Sequence, residues 1–213
     1  MGPVVAEFVD KGIQIFTHAN GDAAIDMIID ATRAAGVTAE DGRRDVVIHS
    51  QFMRPEQLDA YVELGMTPSF FTVHAFYWGD VHIENTGPER AGFISPMVSA
   101  GAKGIRFSNH SDFSVTPMDP LRMMHSAITR RSRAGAVLGE AERVDIATAI
   151  RSMTIDAAWQ IFEEDTKGSI APGKLADLVI LDRNPLEIGT EELLDLQVVE
   201  TFKEGESVWR REA

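Results

Sequence analysis

Residues 13–31 read IQIFTHANGDAAIDMIIDA, and the parsing of this stretch decides the fold. Ile13 to His18 is rich in β-branched and aromatic residues, the composition of a strand. A Gly-Asp pair follows. From Ala23 to Ala35 the pattern changes, with Ile25, Ile28, Ile29 and Thr32 on one face of a helical period. Asp22 is placed to cap that helix and Gly36 to stop it. The segment is therefore a strand, ending in His18, that passes at once into a helix.

Outward from this unit the pattern recurs. "VVAEFVDKG" before it fits the last turns of a helix closed by Gly12. "DVVIHS" predicts a second strand, ending near His49, and "RPEQLDAYVELG" its helix, with Pro55 in the first turn and Gly65 at the end. "MTPSFF" is a third strand. "TVHAFYWGDVHIENTGPER" reads as a long, aperiodic, aromatic loop, and "GPERAGFISPMVSAGA" as largely helical, with Pro96 kinking or dividing it. "GIRFSNHSD" predicts a fourth strand and "DPLRMMHSAITRRS" a further helix. Strand–helix alternation without hairpin signals means parallel strands joined by helical crossovers, an α/β fold. After Gly139 the texture shifts: "AERVDIATAIRSMTIDAAWQIF" predicts two helices, the second capped by Thr154. "ADLVILD" predicts a strand, and "QVVETFKEGESVWRRE" a hairpin turning at "KEGE". The expected organisation is an α/β body over residues 1–165 and part of a small β domain over 166–213.

Composition narrows the function. A formal net charge of −13 over 213 residues disfavours nucleic acid and anionic lipid as partners. No cysteine is present, which excludes disulfides, thiolate metal sites and cysteine nucleophiles. No apolar run approaches a membrane span, and "MGPVVAEFVDKG" is too acidic for a signal peptide, so a cytoplasmic location is expected. No glycine loop of the nucleotide-binding kinds follows any strand.

In parallel α/β folds, ligands bind beyond the carboxyl ends of the strands. His18, His49 and the run His110-Ser111-Asp112 all fall there. Imidazoles and a carboxylate converging from rigid elements suit a divalent cation. Hydrogen-bonded turn histidines are the alternative.

Four segments, "THANGDAAID", "VIHSQF", "NHSDFSVTPMDPL" and "GSIAPGKLADLVILD", together resemble the metal-dependent amidohydrolase superfamily. The resemblance is closest to amidohydrolase family 3, which includes N-substituted formamide deformylases. It implies a (β/α)8 TIM-type barrel flanked by a small β-sandwich, with this chain as the C-terminal half: barrel strands five to eight plus part of the sandwich. It implies His18, His49 and Asp112 as metal ligands, for one or two ions, Zn2+ first with Fe or Mn possible. The implied activity is hydrolysis of a non-peptide C–N bond in a small-molecule amide. A bound divalent cation brings the pKa of its water down toward about 7 and polarises the carbonyl. Asp112 would act as general base and then general acid, with His74 or His110 donating to the oxyanion.

His74, Tyr77 and Trp78 could line a substrate pocket, with His110 beside it; the alternative for the aromatic residues is that they pin the loop to the body. His82 is expected at the surface, and His125 in a core or helix-surface role. Arg122, Arg130, Arg131 and Arg133 are expected to face solvent near the negative end of a helix dipole. The resemblance also calls for a His-x-His strand and a metal-bridging lysine or glutamate, and this sequence has neither. A truncated, weakly active or inactive form is expected, covering its open edges as a homo-oligomer or by association with the missing N-terminal half. A ring-amidine deaminase and a non-catalytic half-barrel module are the competing functions.

Overall fold

The computed structural model describes residues 1–212. The amphipathic run after Gly21 forms α2 (Asp22–Ala34) behind α1 (Gly2–Asp10), and Ile25, Ile28, Ile29 and Thr32 are its buried face. Strands β1 (Phe16–Gly21), β2 (Val46–Phe52), β3 (Thr67–Phe70) and β4 (Ser108–Asn109) lie in that order, all parallel. The connecting segments carry α3 (Pro55–Leu64), α4 (Val73–Thr86), α5 (Pro88–Gly92) and α6 (Met97–Ala102). Then come α7 (Pro120–Thr129), α8 (Ile146–Ser152) and α9 (Ile155–Gln160). A second sheet, β5 (Leu178–Leu181), β6 (Val198–Lys203) and β7 (Glu206–Arg210), is antiparallel. A 3-10 segment, Thr190–Asp195, docks on α7 through buried Leu193 and the Arg131–Glu191 ion pair at 2.9 Å. Among the described residues no helix is long and apolar enough to cross a membrane.

The two faces of the parallel sheet differ. Ala19, Val47 and Phe70 pack with Ile25, Leu58, Tyr61, Met97 and Ala127 from the helices into the main core. Strand alternation sends His18, Ile48, Ser69 and Ser108 to the opposite face. That face is polar: Ser108 donates to Ser69 at 2.8 Å, and Gln160 donates to Thr67 at 2.8 Å. β1 is an edge strand, with Phe16 45% exposed.

Four expectations need correction. The segment expected to be a loop is the helix α4, and Tyr77 and Trp78 pack against Phe71, Val73 and Met123. Its aromatic residues are spread around the axis because the helix is contacted on several sides, so no apolar stripe marks its period. A Cβ at Gly79 would stand 2.7 Å from Leu138 Cδ1, so the buried Leu138 would have to shift to admit one. Pro96 divides the following region, one of the two outcomes expected of it and no correction, with Ser95 at φ 45 between α5 and α6. Asp22 is the first residue of α2 rather than its cap; its carboxylate accepts from the Ala23 N–H and binds Arg54 and Arg90. Thr154 sits at the cap position of α9, but its hydroxyl bonds back to the Ile150 carbonyl.

The fourth correction is the most consequential for stability. Arg130 does not face solvent: it is 1% exposed and caps α7 with a left-handed backbone. Its guanidinium donates to the carbonyls of Leu138 at 2.6 Å, Ile94 at 2.5 Å, Ser95 at 3.2 Å and Gly92 at 3.3 Å. These acceptors lie on two segments, the end of α5 with the residues that follow it, and the chain at Leu138. Burial lowers its pKa to about 10, which leaves it charged at neutral pH. Arg130→Ala leaves four carbonyls unmet and a cavity, and should cost about 3–5 kcal/mol in urea unfolding. Arg130→Lys should recover little of that loss, because one ammonium cannot span the fork.

Candidate metal centre

The register sets the level of the site. Ala19 pairs with His49 and Phe70 with Asn109, so His18, His49, Phe71 and His110 arrive at one end of the sheet. Neither His18 nor His49 terminates its strand: the ladder runs on to Gly21 and to Phe52. It does so through an irregularity, where Ala19 pairs with His49 but Gly21 with Phe52, setting Ser50 and Gln51 against Asn20 alone.

That β-bulge aims His49. Counting by twos from Val47, which faces the helices, His49 would face them too. Instead His49 and Ser50 take φ of 72 and 44, and Ser50 turns inward to bond Tyr61 at 2.9 Å. His49 joins the polar face, its ring centroid 4.6 Å from His18 and 5.0 Å from His110. Asp112 also has a left-handed backbone, φ 51. Such conformations cost about 1–3 kcal/mol each and gather where a side chain must be aimed.

His49, His110 and Asp112 each offer one ligand atom, all within 4.8 Å of one another. His49 Nδ1 and His110 Nε2 are buried without hydrogen-bond partners. The other nitrogen of His110 is engaged by Ser69 at 3.0 Å, and this fixes the ring. The unpartnered Nδ1 of His49 beside the Asp112 carboxylate fits a divalent cation, and the unpartnered Nε2 of His110 lies next to both. Burial and neighbouring imidazoles hold these rings neutral. His110 is lowered to about 4, chiefly by burial, and His74 to about 3 by burial and the imidazoles around it. His49 is lowered by burial and by His18, with Asp112 opposing.

Of the residues expected from sequence, His49, His110 and Asp112 form this group, and His18 stands beside it with its ring centroid 4.6 Å from that of His49. His74 stands behind them, 6.3 Å from His49 and 4.7 Å from Trp78 between ring centroids. His82 is not a surface residue: it is half-buried, stacked on His74 and bonded to it at 3.0 Å. Gln51, buried on the bulge, bonds both. The sequence signal for His82 was masked once α4 was read as a loop. His125 is buried on α7 and bonds Glu191 at 3.3 Å, away from this group.

A parallel sheet with histidines and an aspartate at one end defines the class: an α/β fold with a metal-competent site. The amidohydrolase family model matches residues 1–209, and the chain belongs to that family. It is 32% identical over 198 residues to the N-substituted formamide deformylase of Arthrobacter pascens, covering 91% of this chain and 36% of that protein. The chain thus spans little more than a third of that relative's length. An uncharacterized metal-dependent hydrolase from Pyrococcus horikoshii OT3 superposes with a TM-score of 0.74 at 24% identity, over 89% of this chain and 38% of that one. An adenosine deaminase from Xanthomonas campestris with bound zinc gives 0.68 at 18% identity, over 96% and 47%.

A proton-linkage prediction follows for the metal-free protein. These imidazoles stay neutral when folded, whereas the unfolded chain takes up protons near pH 6.5. Stability should therefore fall as pH drops below about 6.5 and keep falling toward the folded values. His74→Phe should flatten that slope in urea midpoints measured from pH 7 to 5.

Proposed function

We propose that these residues form part of the active site of a metal-dependent hydrolase of non-peptide C–N bonds, with N-substituted formamides as the leading substrate class. The observation that carries this reading is the His49–Asp112 pair on the polar end of the sheet, with a His110 nitrogen within 4.8 Å of both ligand atoms, in a chain of the amidohydrolase family. On this reading β1 to β4 correspond to the last four strands of a (β/α)8 barrel, and β5 to β7 to part of the flanking sandwich. The open edge at β1, with Phe16 beside it, is where a second copy or a further half-barrel would pair.

His18, His49 and Asp112 would hold the cation, with Zn2+ as the first choice for an imidazole and carboxylate set and Fe or Mn as alternatives. When bound, the cation supplies Lewis-acid polarisation of the amide carbonyl and an acidified water. Asp112 accepts the proton of the attacking water and passes it to the amine nitrogen. The new C–O bond would form first, placing charge on the carbonyl oxygen, and the C–N bond would break once the nitrogen is protonated, giving formate and the amine.

His110 suits the oxyanion. Ser108 donates to Ser69, so Ser69 has its own proton for His110 Nδ1, and the neutral ring then carries N–H at Nε2. A neutral imidazole donor of this kind can stabilise developing charge on the carbonyl oxygen. Tyr77, Trp78 and the ring of His74 would form the apolar wall against the N-substituent.

Amine release from an N-alkylformamide by the intact protein, with zinc supplied, tests this. Asp112→Asn should lower turnover by about 10²–10⁴-fold. His110→Ala should lower it by about 10²–10³-fold while leaving the metal content of the strand-end site intact. An Asp112→Asn protein within tenfold of the parent rate would contradict the assignment.

A further inference from the structure

Behind the strand-end group, Gln51, His74 and His82 form a hydrogen-bonded triad. His74 Nδ1 and His82 Nε2, both on α4, are 3.0 Å apart. The Gln51 side-chain nitrogen stands 2.9 Å from the first and 3.2 Å from the second. Both contacts of His74 are therefore made through Nδ1. The two nitrogens of an imidazole point to opposite sides of the ring, so Nε2 is aimed away from Gln51 and His82. The ring is only partly buried, with the centroids of His49 and Trp78 at 6.3 and 4.7 Å from its own.

Counting protons fixes the tautomer. The amide nitrogen of Gln51 carries two N–H groups, and both rings lie within its reach. Donation from Gln51 makes His74 Nδ1 an acceptor, so the one proton of the neutral ring sits on Nε2. The nearby His82 leaves this unchanged, because a proton between the rings can come from His82 Nε2. Turned over, the amide would accept from both rings, and His74 would carry its proton on Nδ1. That arrangement would put two N–H groups where Gln51 Oε1 lies buried without a partner, in a residue 1% exposed. Orphaned N–H groups are rarer in proteins than under-satisfied carbonyl oxygens, which favours the amide as it stands.

We propose that Gln51 and His82 are positioning residues that hold His74 with its proton on Nε2, which makes one point of the substrate wall a hydrogen-bond donor. The inference rests on the hydrolase reading for its substrate, and on the triad alone for its tautomer. Tyr77 and Trp78, packed with Phe71 and Val73, supply the apolar surface around that point. Such a wall selects formamides whose N-substituent carries an acceptor, such as an ether oxygen, over hydrocarbon substituents of the same length and shape. A hydrocarbon there takes the donor out of water and gives it no partner. His74 meets the substrate, and Gln51 and His82 act only through it.

Long-range proton–nitrogen correlation spectra of the metal-free protein read the tautomer without reference to activity. The parent should show His74 with its proton on Nε2, and Gln51→Leu should show a mixture, because His82 can then accept as well as donate. With zinc supplied, the parent should favour N-methoxyethylformamide over N-butylformamide by about two- to tenfold in kcat/KM. His74→Phe and Gln51→Leu should bring that ratio to about one. His82→Ala should reduce it, and His82→Gln, which returns a donor to the place of Nε2, should restore it. If Gln51→Leu does not fold by circular dichroism, the parent spectrum decides. A parent spectrum with the His74 proton on Nδ1, or a parent that treats the two formamides alike, overturns the proposal. Failure of the hydrolase reading would instead show as no amine from either formamide, and the spectra would then decide the positioning role by themselves.

Discussion

The bulge at His49 and Ser50 is the constraint on which the site depends. Strand alternation and the register with β1 would place His49 beside Ala19, against the helices. Two consecutive left-handed residues reverse that order, sending Ser50 to Tyr61 and His49 to His18 and His110. Without the extra residue the three imidazoles would not share a face. The same bulge brings the Gln51 amide to His74 and His82, so one backbone irregularity aims His49 and ties α4 to the sheet.

The surroundings keep this arrangement in place. On one side of the sheet, packed aliphatic and aromatic residues exclude water and fix the strands. On the other, a hydroxyl chain from Ser108 through Ser69 orients His110, and Gln160 ties α9 to β3. Farther out, Arg130 gathers carbonyls from the end of α5, the residues after it and Leu138 around one guanidinium. Fork geometry lets a single side chain meet backbone groups that neither helix nor sheet could.

Much of the fold was legible because it rests on period. The isoleucines of α2 at helical spacing, Gly65 after α3 and the strand compositions gave the repeating βα unit. The residues at the site were legible by type and by place along the strands. What was hidden came from tertiary contacts. α4 carries its apolar residues around its axis, so no stripe marked it as a helix, and His82 went with it. Arg130 sits among three other arginines of similar spacing, and nothing local distinguishes the one that is buried. A bulge leaves no periodic trace either, since one extra residue in a seven-residue strand only looks like a strand. His110 is legible as a candidate oxyanion donor; what holds its ring is Ser69, itself bonded to Ser108, on two different strands.

Anomalous diffraction at the zinc edge from zinc-loaded crystals is the most direct test of the central claim. The predicted result is a zinc peak at about 2.0–2.2 Å from an imidazole nitrogen of His49 and a carboxylate oxygen of Asp112. Density that leaves both side chains unliganded, with zinc bound only elsewhere on the molecule, would contradict it.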